Sequence, residues 1–213
     1  MKRSLLIFIA IAIIPLSSFS QVKEGVTIKD SAINVIVITA IDDPVVVSET
    51  VCNFSIGDTC QGGIIFYLDK LGCHGLISAP TDQSAGIQWY SGNYSITYAS
   101  GSRLFDGDGN CYMIRYSQGD CSSCNASELC LDLSLGGYDD WYLPSKYELN
   151  LMYHNIGQGN ALGLGNIGSF ANYFYWSSTE DDYYSAWGMM FNDGTHYVYV
   201  KNITDRVRAI RAF

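Results

Sequence analysis

The sequence holds few of the signatures that mark hydrolases or membrane proteins. There is no GxSxG and no HExxH, and its three histidines, His74, His154 and His196, are scattered, so neither a serine-based nor a zinc-based centre is written in it. After Ile14 no stretch approaches the roughly 20 apolar residues that a membrane span requires. Basic residues are short, 12 Lys and Arg against 21 Asp and Glu. An acidic surface of that kind repels phosphate polymers unless arginines gather, which Arg206, Arg208 and Arg211 could do only locally, so nucleic acid is excluded as a partner. Cysteines are missing beyond Cys130, and Cys121-x-x-Cys124 has no second CxxC or histidine pair at zinc-ligand spacing. No cofactor and no metal is called for.

What is present begins with a leader. Lys2 and Arg3 precede an apolar run from Leu5 to Ile14, too short to cross a bilayer, and Ser18 and Ser20 suit the −3 and −1 positions of a cleavage site before Gln21. Residues 1–20 therefore read as a signal peptide, with export as a secreted or cell-surface protein. No cysteine follows the run, which argues against a lipid anchor. Without the leader the 12 basic residues become 10 against 21 acidic, a formal charge of −11. A hydrophobic content of 48% and an aromatic content of 14% describe a packed globule. In an oxidising compartment the seven cysteines read as structural, with three bridges and one odd thiol as the simplest count.

Residues 21–51 carry AINVIVITAI and VVVSETV, β-branched runs without helix caps. They read as a tether or an N-terminal strand segment, pairing with the domain edge or between protomers. The domain proper is 52–213. Strands are expected at Ile64–Leu68 and Gly75–Ser78 as a hairpin, at Ala186–Phe191 and Thr195–Val200 as a second hairpin around Asn192-Asp193-Gly194, and at Arg206–Phe213. Residues 82–125 read as long loops pinned by bridges, with Asp106, Asp108 and Asn110 as turn residues, since a calcium loop would need a glutamate at its twelfth position. Two short helices are expected. One is capped by Asn125 or Ser127 and runs through Leu133; the other runs from Lys146 to about Asn155 behind a Ser145/Glu148 capping box. Asp139 and Asp140 read as a turn rather than a catalytic carboxylate pair, and Trp141, Leu143 and Trp176 as core.

Eleven aromatic residues fall between Phe170 and Tyr199. Tyr183, Tyr184, Asn192, Asp193, His196, Tyr197, Tyr199 and Lys201 form the candidate ligand surface, because flat rings stack on sugars or anchor a protein partner while Asn, Asp and His supply directional hydrogen bonds. Trp187 shares a strand face with Met189 and Phe191 and is expected to be buried. No catalytic residue is assigned. Phe191-Asn192-Asp193 is similar to the WND of calcium-dependent lectins, but the companion EPN or QPD is absent.

The blocks GGYDDWYLPSKYELNLMY, FYWSSTE, AWGMMFNDG and KNITDRVRAIRAF, with GDTCQGGIIFYLD and APTDQSAGIQW upstream, resemble the bacterial Lcl C-terminal domain family, the C-terminal domain of a collagen-like adhesin. They span about residues 57–213 in the family's order. The resemblance implies an α+β, C-type-lectin-like fold with two short helices on twisted antiparallel sheets, first and last strands paired, and adhesion to glycan or matrix as the role. It also implies a pair Cys121–Cys130, and a homotrimer. The charge favours a neutral glycan or a protein ligand over a sulfated polymer. Other readings are a receptor-binding protein diversified by a retroelement, a structural surface-layer role, and a formylglycine-generating-enzyme-like catalyst, to whose LPTEAEWE segment Leu143–Glu148 is similar. The last needs reactive cysteines near the C-terminus, where this chain has none.

Overall fold

A computed structural model describes residues 52–213; the leader and the segment 21–51 lie outside the described residues. Two sheets and three helices make up this α+β domain. The first sheet contains β1 (Thr59–Cys60), β2 (Gly63–Leu68), β3 (Gly75–Ser78) and the last strand, β9 (Ile210–Ala212), in the order β1-β2-β3-β9. The second contains β4 (Ser84–Gln88), β5 (Phe174–Glu180), β6 (Ser185–Met190), β7 (Thr195–Val200) and β8 (Thr204–Val207), in the order β4-β8-β5-β6-β7.

Both expected hairpins form. β2 and β3 pair antiparallel with a bulge between Ile65 and Tyr67, and β6 and β7 pair without a break from Ser185↔Val200 to Met190↔Thr195. The last strand pairs with β3, the returning arm of the first hairpin, while among the described residues β1 pairs only with β2. One contact departs from the antiparallel expectation: β5 meets β8 in parallel at Tyr175↔Arg206.

The single C-terminal strand expected at Arg206–Phe213 is two strands in different sheets. Arg208 and Ala209 form the step between them. Arg208 is 1% exposed and donates to Asp82 at 2.8 and 2.6 Å and to the carbonyls of Ala79 and Gly168 at 3.0 and 2.8 Å. A buried guanidinium with this many acceptors holds the crossing by tertiary contacts that an alternating pattern does not announce.

α2 (Ala126–Leu131) is capped by Asn125, and α3 (Lys146–Ile156) by a full Ser145/Glu148 capping box, as their sequences require. The third helix, α1 (Asp106–Gln118), is the longest and occupies a stretch read as loop. Its Gly107 and Gly109 lower helix propensity, yet a Cβ on Gly107 would lie 2.5 Å from the Glu148 carboxylate and 2.8 Å from the Leu143 carbonyl. The glycine is there for close approach to α3. Trp141, Leu143 and Trp176 are fully buried, as expected, together with Trp89.

Candidate functional site

Among the described residues β7 is an edge strand, and the eight candidate residues are distributed along it and its flanks. They do not form one constellation. Tyr183 and Tyr184 lie before β6, where Lys201 N–H donates to the Tyr184 carbonyl at 2.9 Å, so they stand at the open end of the β6–β7 hairpin. Asn192 and Asp193 lie at the turn end, about 17 Å away along the strand. Asp193 Oδ1 accepts from Thr195 N–H at 2.9 Å, the use a turn aspartate ordinarily serves. Tyr197 and Tyr199 share one face of β7, opposite Gly188 and Ala186. Gly188 is required here, since a Cβ would meet the Phe174 ring at 2.3 Å; through this gap Phe174 packs edge-on against Tyr199 with centroids 4.5 Å apart.

His196 is on the other face, half-buried, with Nε2 3.3 Å from Asn150 Oδ1 of α3. Burial, then the charge of Lys146, holds its pKa below the ordinary imidazole value. Trp187 lies on this same face and is half-buried rather than fully buried. Its ring is covered by the Lys146 ammonium, 3.3 Å from the centroid, because the first turn of α3 offers a lysine there and no apolar side chain.

Lys201 is a correction. It is completely buried, and its ammonium donates to Glu180 at 2.6 Å and to the carbonyls of Ser95, Asp182 and Tyr183 at 2.9, 2.8 and 3.1 Å. The Glu180 carboxylate in turn accepts from Thr97 and Tyr98 N–H at 2.8–2.9 Å. A charge so fully partnered is not a ligand contact; it ties the 95–98 loop to the 181–184 turn.

The chain just before the 95–98 loop and the 181–184 turn carry an aromatic cluster with Tyr183 and Tyr184 at its surface. Tyr94 lies 5.3 Å from Tyr184, 6.2 Å from Tyr183 and 4.8 Å from Tyr90, centroid to centroid. Tyr183 and Tyr184 are 42% and 58% exposed. Burial and its phenolic neighbours Tyr90 and Tyr184 raise the Tyr94 pKa. Sequence reasoning found Tyr183 and Tyr184 but missed Tyr90 and Tyr94, which lie about ninety residues upstream and join them only in the fold. A second exposed pair, Tyr112 and Tyr116, stacks along α1 with rings 19° from parallel; its i, i+4 spacing would have been legible had the helix been recognised.

The expected bridge Cys121–Cys130 does not form. Cys121 pairs with Cys124, with Cα atoms 5.6 Å apart, and Cys52 pairs with Cys73. Cys60, Cys111 and Cys130 are free thiols, so the domain has two bridges rather than three. Cys130 faces the core from α2, whereas Cys121 lies before that helix. Burial pushes the Cys111 thiol up to about 12 and raises Cys130 as well, which leaves both as poor nucleophiles.

The three C-terminal arginines form no free cationic patch: Arg206 and Arg208 share Asp82, and Arg211 binds Asp140 at 2.5 and 2.9 Å and also Gln61. Arg211 holds the Asp140 carboxyl below the usual range. A cleft of about 440 Å³ lies beside Asp139 and Asp140, between Asp108 and Arg115 of α1 and Trp141.

The model of the family described as the Lcl C-terminal domain matches residues 79–211. The match begins after the β2–β3 hairpin, so the upstream resemblance in GDTCQGGIIFYLD lies outside it. No curated protein matches the chain.

Proposed function

Because the chain belongs to the Lcl C-terminal domain family, we propose that it is an exported, surface-located binding module with a C-type-lectin-like fold, an adhesin for a glycan or protein ligand rather than an enzyme. The observation that carries this reading is the tyrosine cluster in which exposed Tyr183 and Tyr184 rest on half-buried Tyr94 and buried Tyr90, held by the buried Lys201–Glu180 pair. Rings with two rotatable bonds, held by a rigid support, offer apolar area and a hydroxyl at little entropic cost on binding. The acidic balance of the chain, with the nearby lysine buried, suits a neutral sugar or an uncharged protein surface.

The test is binding of the purified chain from Gln21 onward to a broad glycan array, with calcium and with chelator, followed by titration of any hit. Tyr184→Ala is expected to weaken binding about tenfold or more, equivalent to roughly 1.4 kcal/mol, and Tyr199→Ala to act in the same direction. Chelator is expected to change nothing, since Asp193 is already engaged in its own turn. A ligand whose affinity survives both tyrosine changes would place the contact surface elsewhere, and a chelator-sensitive hit would overturn the calcium-free reading.

A further inference from the structure

The bridge Cys121–Cys124 joins cysteines with a sequence separation of 3, and its two ends are unequal. Cys124 is exposed, whereas Cys121 is half-buried. Behind them lies Asn125, which is fully buried. Its Oδ1 accepts from Glu128 N–H at 2.9 Å, which fixes the orientation of the amide and turns Nδ2 towards the bridge. Nδ2 donates to Ser91 Oγ at 2.9 Å and lies 3.8 Å from each of the two sulfurs. Ser91 Oγ is in turn 3.4 Å from Cys121 Sγ, and because a bridged sulfur carries no proton, the hydroxyl is the donor. Two donors held from the interior therefore point at Cys121 Sγ. A neutral sulfur is a weak acceptor and gains little from them, while a thiolate in the same place gains a charge-assisted hydrogen bond. The surroundings thus favour the opened bridge over the closed one.

We infer that Cys121–Cys124 is a thiol-exchange site, in which Cys124 is the sulfur attacked by a thiol-bearing partner and Cys121 is the leaving group. The partner's thiolate forms a bond to the exposed Cys124 Sγ, the bond between Cys124 Sγ and Cys121 Sγ breaks, and its electron pair leaves as the Cys121 thiolate. One disulfide is consumed and one is made, so the step needs no oxidant or reductant besides the partner thiol. The new charge appears where Ser91 and Asn125 already aim their donors. Return attack by the Cys121 thiolate on Cys124 Sγ expels the partner and restores the bridge. The turn is held for that return by contacts other than the bridge: Cys124 N–H donates to the Cys121 carbonyl at 3.0 Å, and Asp132 accepts from Ser123 N–H and Oγ–H at 2.7 and 3.0 Å. The buried thiols Cys111 and Cys130 are out of reach of an incoming partner and do not compete with it. Ser91 directly follows Tyr90, so the exchange site adjoins the tyrosine cluster, yet its chemistry is independent of any ligand bound there.

The test is equilibration of the native chain from Gln21 onward with graded ratios of reduced to oxidised glutathione, quenched with iodoacetamide and read by peptide mapping. Cys52–Cys73, whose cysteines are both half-buried, serves as the internal reference. Cys121–Cys124 is expected to open at a lower ratio than the reference. The trapped intermediate is expected to carry glutathione on Cys124 and the alkyl group on Cys121. Ser91→Ala removes the hydroxyl but keeps the backbone donation from Ser91 N–H to Gln118 Oε1. This variant is expected to need a ratio about tenfold higher for half-opening, the worth of one hydrogen bond to a charged sulfur. The reference bridge should stay where it was, whereas general loosening of the fold would move both. The proposal is overturned if Cys121–Cys124 opens no more readily than Cys52–Cys73, if glutathione is found on Cys121, or if Ser91→Ala opens as readily as the wild-type chain.

Discussion

Lys201 shows how far a residue's role can depend on where its chain end points. At the end of an aromatic strand it reads as a ligand contact, yet it is the buried half of an ion pair with Glu180. Removing one partner of such a pair leaves the other charge uncompensated in the interior, a loss of about 3–5 kcal/mol. Lys201→Met is therefore expected to lower stability by that order in chemical denaturation and to weaken ligand binding by loosening the 95–98 and 181–184 loops. Asp205 on β8 carries the opposite signature. It is 7% exposed, and burial raises its pKa to about 6. Because the folded chain then holds this proton more tightly than the unfolded chain, whose aspartate titrates near about 4, stability is greatest below that value and falls as pH rises towards about 6. Asp205→Asn is expected to raise stability at pH 7 by roughly 1–2 kcal/mol and by much less at pH 4, as thermal melts at the two pH values would register.

At the scale of elements, the capping box of α3 was legible because its signal is local: Ser145 and Glu148 satisfy each other's backbone donors within one turn. The same Glu148 does more than the motif says. Its carboxylate also accepts from Phe105 N–H at 2.7 Å, where the chain enters α1 with a positive φ of 67°. Burial raises the Glu148 pKa despite these donors. α1 was illegible for the complementary reason. Gly107 and Gly109 look like turn residues, and the helix is held by its contact with Glu148 and Leu143 rather than by propensity. Alanine is the better helix former by about 1 kcal/mol, yet Gly107→Ala is expected to destabilise the domain by roughly 1–3 kcal/mol, since neither the buried carboxylate nor the Leu143 carbonyl has room to retreat. Equilibrium unfolding decides the sign.

Across the whole molecule, covalent and non-covalent links share the work of joining distant segments. Cys52–Cys73 anchors the start of the described chain to the β2–β3 turn, across 21 residues. Native protein is expected to react with a thiol reagent at Cys60 alone, and at Cys60, Cys111 and Cys130 once unfolded; two reactive thiols in the native state would contradict the burial of the helix cysteines. The sequence by itself determined the α+β class, the two hairpins, two of three helices, the core tryptophans and the family, because each is encoded in neighbours a few residues apart or in long ordered blocks. Only the tertiary structure decided the cysteine partners, the division of the last strand between two sheets, the burial of Lys201, and the meeting of Tyr94 with Tyr184. In each of these the deciding neighbour is set by packing: Cys130 is turned into the core by its helix, Arg208 finds Asp82 across 126 residues, and Tyr94 reaches Tyr184 because Lys201 draws their loops together. Periodicity can place a side chain on one face of a strand, but whether that face meets solvent, a helix or a second sheet is a property of the assembled fold.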